Sequence, residues 1–387
     1  MKILIIRNFP SYMAVKNNTY NIQEIGLAKA LVRKGNICDI LFWTDKKEED
    51  ITISVDDCGE AHVFYRQGKT KLKNTIFRGC DDLFEKYDVL QPCEYNQIQS
   101  WLLARRYPHK TVIYHGPYYS NFNKRYNLVC KVFDALFLKS YIKLGTRFIA
   151  KSSMAKEFLE NKGIKSEDVC VAGVGIDTQM LSTKESICEE MLYLQMKEDA
   201  DSLRILYVGR LEERRNIPYL LDVFSEVKKK CSIAKLYVIG TGDEDYVKMV
   251  FDYAQELGIR DDIVWQERME QKYLSEVYQL ADFFLLATHY EIFGMVLLEA
   301  MYYRTVVLTT KNGGSSTLID NEKSGYIIEL KNKETWADII VETYSDRMRM
   351  EQIQDNASKT IKENFTWDKL VDTFLEQYRI CLLRREK

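Results

Sequence analysis

Apolar residues in the first 175 positions come in short runs separated by amphipathic stretches. Lys2–Arg7 (KILIIR) is the first run, and after it Ile22, Ile25, Leu27, Ala28, Leu31 and Val32 recur near helical spacing up to Gly35. Cys38–Trp43, His62–Tyr65, Asp88–Gln91, Thr111–His115, Arg147–Ala150 and Asp168–Ala172 read as further strands. Short β-rich runs with helical patterns between them are what a parallel βαβ sheet requires.

The charged stretch Thr178–Ser202 lacks that alternation, and the rhythm restarts at Arg204. Strands are predicted at Arg204–Gly209, Lys235–Gly240, Ile263–Gln266, Asp282–Thr288, Thr305–Thr310 and Gly325–Leu330, with helical patterns such as Leu220, Leu221, Phe224 and Val227 between them. The pattern predicts two doubly wound α/β domains, over residues 1–178 and 203–365, with a linker or hinge at 179–202. A last helix at 366–387 is expected to pack back on either domain. In open α/β sheets ligands bind beyond the carboxyl ends of the strands, here expected in a cleft between the domains.

Composition narrows the class. A chain of 387 residues that is 46% apolar and 29% charged is globular, and 55 Lys+Arg against 57 Asp+Glu exclude a nucleic-acid coat. Nine cysteines without a C-x-x-C pair or paired Cys/His spacing speak against structural zinc and a disulfide scaffold, and for a cytoplasmic location. The start MKILIIRNFP reads as a buried strand, its apolar run being too short for a signal-peptide core, and no apolar run approaches the roughly 18 residues of a membrane span.

The candidate chemistry of the second domain falls just after strands. GRLEERRN sets Arg210, Arg214 and Arg215 before a helix expected to be capped by Asn216; guanidinium forks beside a helix start suit a diphosphate. In GTGDED, Gly240 and Gly242 suit close backbone approach to a ligand. The third glycine of the dinucleotide fingerprint is replaced by Asp245, which disfavours a nicotinamide dehydrogenase. The Asp243/Asp245 and Asp199/Asp201 pairs lie near helix starts in acidic surroundings, where caps or solvated faces are expected rather than metal ligands, and no metal is expected.

After DFFLLAT comes HYEIFGMVLLEAMYY. Glu291 and Glu299 would stand about 12 Å apart if the interval were helical, beyond the ~5–5.5 Å or ~6.5–9.5 Å of a glycosidase pair. They suit two ends of one extended ligand, with backbone N–H groups of Phe293, Gly294 and Met295 free to accept phosphate. Glu299 lies among Val296, Leu297, Leu298 and Ala300, so its carboxylate needs a partner. Gly313 and Gly314 in KNGGSS again suit close backbone approach, or a plain turn. In the first domain His115, before Gly116 at the end of a predicted strand, is the histidine placed to face the cleft.

V-G-R-L-x-x-x-[KR]-N, G-x-G-D-E and E-x-F-G-x-x-x-x-E followed by A-M resemble the retaining glycosyltransferases of family 4, which have the GT-B fold. The resemblance runs from about residue 203 to 330, and more weakly back through Ile149–Thr178. It implies a nucleotide-sugar donor on the C-terminal domain, with Arg210 and Arg215 on the diphosphate, Glu299 on the ribose, Glu291 on the transferred sugar, and Arg268 and Met269 beside the base. It implies that His115 serves the sugar site and that transfer is metal-independent with retained configuration. Arg215 replaces the family's usual lysine, and the glycine pair after the first strand is absent, with Asn18 and Thr19 near that place. A sugar-nucleotide epimerase and a non-catalytic homologue acting as a binding subunit are the alternative readings.

Split at residue 190, the near-neutral charge becomes 28 basic against 23 acidic groups, then 27 against 34. Between Trp101 and Lys165 there are 13 basic residues and only Asp134, Glu157 and Glu160, interleaved with Trp101, Tyr107, Tyr118, Tyr119, Phe122, Tyr126, Phe133, Phe137 and Tyr141. This basic, aromatic-rich stretch suits an anionic membrane surface carrying a lipid-linked acceptor, the chain sitting peripherally on the inner face; a basic rim for a soluble glycan acceptor, its aromatics buried, is the other reading.

Overall fold

The computed structural model describes residues 1–15, 22–71, 73–178 and 188–383. Asn18, Thr19 and the first part of the expected hinge, 179–187, lie outside the described residues. The chain divides into two compact units, Met1–Asp177 with Thr366–Lys387, and Thr178–Phe365.

In the first unit the strands are β1 (Lys2–Ile6), β2 (Ile37–Trp43), β3 (Glu49–Val55), β4 (Gly59–Arg66), β5 (Gly68–Lys71), β6 (Asn74–Phe77), β7 (Val89–Pro92), β8 (Val112–His115), β9 (Arg147–Ala150) and β10 (Val169–Val171). Five pair in the order β3-β4-β2-β1-β7 and three in the order β10-β9-β8, while the bridges Leu90–Thr111 and Cys93–Tyr114 join β7 to β8. The strand order reverses beside β1, whose Ile3 lies between Cys38 of β2 and Val89 of β7. Ile3, Leu4, Ile5 and Ile6 are all buried, as expected where both faces of a parallel sheet are covered.

β3 and the antiparallel β5–β6 hairpin were not expected from the sequence. β3 pairs antiparallel with β4 at the sheet edge and exposes every second residue, and its ITISV alternation is interrupted by the charged residues that precede it.

The second unit holds β11 (Leu203–Val208), β12 (Ala234–Ile239), β13 (Ile263–Gln266), β14 (Phe283–Leu286), β15 (Val306–Thr309) and β16 (Tyr326–Ile327). All are parallel, in the order β13-β12-β11-β14-β15-β16, so the order reverses between β11 and β14. In open α/β sheets such a reversal, beyond the carboxyl ends of the strands, is where ligands bind. The helix Met191–Glu198, within the segment expected as linker, packs on β13 and on the helix Gln271–Leu280.

The final helix, Trp367–Leu383, packs on the first unit. Trp367 occupies a slot that only glycines permit: a Cβ at Gly26 would lie 2.1 Å from its indole nitrogen, and one at Gly175 would lie 2.6 Å from the ring. Arg147 Nε donates to Gln377 at 2.8 Å, Arg33 pairs with Asp368 at 3.1 Å, and Tyr378 donates to Gln91. Among the described residues no helix is long and apolar enough to cross a membrane.

Candidate functional site

The loops after β11 and β14, on either side of the strand-order reversal, meet through charge. Tyr207 donates to the Arg210 carbonyl at 2.7 Å, Thr288 Oγ1 donates to the Arg214 carbonyl at 3.0 Å, and His289 N–H donates to the same carbonyl at 2.9 Å. Arg214 donates to Glu212 at 2.8 Å, to the Tyr290 carbonyl at 2.8 Å and to Glu291 at 3.2 Å. Burial disfavours the Arg214 charge, but Glu291 and Glu212 outweigh it and hold its pKa above the ordinary value.

Arg215 also pairs with Glu291, and both side chains are nearly covered. Although the two charges touch, Arg215 Nε and Nη1 make no hydrogen bond of good geometry. Buried guanidinium donors without such a bond are suited to a ligand oxygen. Arg210 stands in contrast: its side chain is 74% exposed and reaches only Glu212, at 3.9 Å.

Two expectations about this loop change. Asn216 does precede the helix Ile217–Lys230, but in a left-handed conformation (φ 52°) and without a side-chain capping bond. Arg214, which the resemblance left without a role, joins Arg215 on Glu291; three arginines within one loop was the available signal.

The glycines also act differently from the expectation. A Cβ at Gly240 (φ 155°) would lie 1.8 Å from the Gly209 carbonyl oxygen, so this glycine lets two strand-end loops close on each other. Gly313 and Gly314 do the same against the loop bearing Glu291, with hypothetical Cβ atoms 2.0 Å from the Ile292 oxygen and 1.6 Å from the Phe293 oxygen. Gly313 N–H donates to the Glu291 carbonyl at 3.0 Å. Backbone approaches backbone here, and the effect is to fix Glu291.

Gly294 adopts φ 82° and leads into the helix Met295–Tyr302, with Phe293 buried beneath it. Glu299 is buried on that helix and accepts from Tyr278 at 2.8 Å, so the partner its apolar surroundings demand is a phenol of the chain itself. Arg268 is exposed and Met269 half-buried in the loop after β13; the Arg268 carbonyl accepts from Gln266 at 2.8 Å. Asp243 caps the helix Glu244–Glu256, and Asp199 accepts from Tyr237 at 2.5 Å. No cluster of metal-ligating side chains occurs among the described residues.

His115 ends β8, at the strand end expected for it, and is fully buried. Its Nδ1 lies 2.7 Å from Glu94, which also accepts the Gly116 N–H at 3.0 Å and stands 3.6 Å from Lys151. Burial pushes the Glu94 carboxyl up, yet Lys151, His115 and Gly116 outweigh it and hold it below the usual carboxylate range. An ionised Glu94 can only accept, so the contact is a bond donated by Nδ1. Its Nε2 is buried without a hydrogen-bond partner among the described residues. Glu94 has φ 63°, in an irregular segment where no sequence pattern announces it.

Residues 195–360, within the second unit, match the family model described as "Glycosyl transferases group 1". An uncharacterized glycosyltransferase of Methanocaldococcus jannaschii is 32% identical over 47% of this chain and 46% of its own length. A lipopolysaccharide 1,2-N-acetylglucosaminetransferase of Salmonella typhimurium is 26% identical over 60% of this chain and 62% of its own. The chain spans about half the length of the curated relatives it matches. Among solved structures, a glycosyltransferase from Rickettsia africae superposes with a TM-score of 0.73 at 19% identity, covering 98% of this chain and 99% of that one. Anabaena HepE in complex with UDP gives 0.71 at 16%, covering 98% and 100%. The fold is thus GT-B, built of two Rossmann-like α/β units.

Proposed function

We propose that the protein is a metal-independent retaining glycosyltransferase. It moves a sugar from a UDP- or GDP-sugar to a glycan or lipid-linked acceptor in cell-surface polysaccharide or glycolipid synthesis, at the cytoplasmic side of a membrane. The observation that carries the reading is the cluster of Arg214, Arg215 and Glu291 at the strand-order reversal, beside an exposed Arg210. The relatives' printed names add support: HepE was solved with UDP and with UDP-glucose, and the Salmonella relative is named for transfer onto lipopolysaccharide.

The chemistry follows from charge. As the bond between the anomeric carbon and the diphosphate oxygen breaks, its electron pair leaves with the diphosphate. Arg210, whose side chain reaches out from the loop, and Arg215, whose buried donors lack good hydrogen bonds, bind that growing charge. The acceptor hydroxyl attacks the same face of the sugar, and its proton passes to the departing diphosphate oxygen. Glu291 orients the transferred sugar once a diphosphate draws Arg215 away from it. Glu299 holds the ribose, backbone groups at Phe293–Met295 take phosphate oxygens, and the Arg268–Met269 loop covers the base. His115 serves the transferred sugar.

The test is incubation with a panel of UDP- and GDP-sugars, read for nucleoside diphosphate release and for sugar isomers. Release from one donor class, lost in Glu291→Ala and Arg210→Ala, is the expected result. An isomerised donor would instead mark an epimerase, and failure to bind any donor would mark a non-catalytic subunit.

A further inference from the structure

Residues 124–144 of the first unit form one helical rod: the helix Lys124–Phe133, a π-helical turn over Asp134–Leu138, and the helix Lys139–Leu144. At 1.5 Å per residue it is about 30 Å long. The sequence pointed to its aromatic residues as the surface feature, and the structure reverses this. Tyr141 and Phe133 are buried, Phe133 packs edge-on against Tyr95, and Phe137 packs on Trp101 and Phe133. The outward face is aliphatic: Leu128, Val132 and Leu136 are 63%, 57% and 68% exposed, with Val129 beside them.

Spacing of four residues places Leu128, Val132 and Leu136 in one row. All five of the rod's cations, Lys124, Arg125, Lys131, Lys139 and Lys143, are exposed, two before this row, one beside it and two beyond. Its only carboxylate, Asp134, is turned inward, where it pairs with Lys162 and accepts from Tyr95 at 3.1 Å. The outer face therefore offers exposed aliphatic side chains and positive charge with no opposing negative charge of its own. A protein groove would account for the aliphatic row, but cations at both ends and on the flank, without a single exposed acid, match a plane of negative headgroups above hydrocarbon.

We propose that this face docks the first unit onto an anionic lipid bilayer, with Leu128, Val132 and Leu136 entering the acyl boundary and the five cations meeting headgroups. The rod lies flat on the bilayer. Docking depends on none of the residues assigned to sugar transfer, so it stands or falls separately from that reading.

The experiment is co-sedimentation of the full chain with vesicles of phosphatidylcholine alone and of phosphatidylcholine mixed with phosphatidylglycerol. Retention by the mixed vesicles only, declining as salt rises, is expected. Val132→Asp/Leu136→Asp and Lys131→Glu/Lys139→Glu should each reduce retention at least tenfold, while thermal transition and donor turnover on a soluble acceptor stay unchanged. Equal retention by both vesicle types, or retention unaffected by the aspartate pair, would overturn the proposal. So would absence of retention together with a dimer in light scattering that the aspartate pair dissolves, which would assign the face to a second copy.

Discussion

Arg215 and Glu291 form a nearly buried ion pair that ties the loop after β11 to the loop after β14. It joins the two strand ends between which the sheet order reverses, and the same carboxylate also pairs with Arg214 at 3.2 Å. One carboxylate thus faces two guanidiniums, and Arg214 has a second carboxylate partner in Glu212 at 2.8 Å.

Removing Glu291 leaves Arg215 covered and without that counter-charge, while Arg214 keeps Glu212 at 2.8 Å. Glu291→Ala should cost about 3–5 kcal/mol, the usual penalty for stripping one partner from a buried pair, and chemical denaturation would show it as a lower midpoint. A saturating nucleoside diphosphate should recover part of the loss, since a ligand that binds only the native state adds stability. No recovery would mean that these arginines do not hold phosphate.

Arg210 is exposed and supports little of the fold, so its role separates cleanly from stability. Arg210→Ala should leave the unfolding midpoint unchanged and weaken nucleoside diphosphate binding at least tenfold in calorimetry, a loss of roughly 1.4 kcal/mol. Unchanged affinity would remove Arg210 from the diphosphate site.

Glu94 is a positioning residue for His115, and its depressed pKa carries a sign. A carboxyl held low in the folded state adds stability above its unfolded pKa, near ~4.3 for glutamate, and that stability is lost as pH falls through the lower folded value. Glu94→Gln should therefore be less stable than the parent at neutral pH, and the gap should narrow in acid below ~4.3. Denaturation midpoints across pH would check this; a gap constant with pH would mean that the Glu94 charge is immaterial. Loss of turnover in Glu94→Gln at a pH where it remains folded would tie the residue to His115 rather than to the core.

The slot for Trp367 yields a coupled prediction. Trp367→Ala should cost about 3–5 kcal/mol as a buried aromatic truncation, and Gly26→Ala should also destabilise because its methyl would overlap the indole. In the double variant the overlap is gone, so the two losses should fall short of adding. Strict additivity in urea unfolding would contradict the packing described.

Much of the fold was legible because its strands are parallel and doubly covered, so runs such as KILII and FFLL stand out from the amphipathic helices around them. β3 escaped because an edge strand with one wet face carries only half of that signal. At the site, motif spacing put Glu291 and Arg215 in the strand-end loops and Glu299 on the helix that follows, but gave none of their partners. Tyr278, which holds Glu299, reads as an ordinary apolar position of a helix, and Glu94 sits in an irregular turn. The glycines were legible as close approaches, yet what approached them was neighbouring backbone, which only the folded chain reveals. The aromatic residues of the rod, Phe133 and Tyr141, misled for a related reason, although Tyr119 and Phe122 before it are exposed: helical phase decides which side chains face out, and composition carries no phase.

The most direct test of the central claim follows the sugar itself. Proton NMR of the first-formed product, from whichever donor is turned over, should show a newly attached sugar with the donor's anomeric configuration, and no such signal in Glu291→Ala. A product of inverted configuration, or a donor returned as its epimer, would contradict the account.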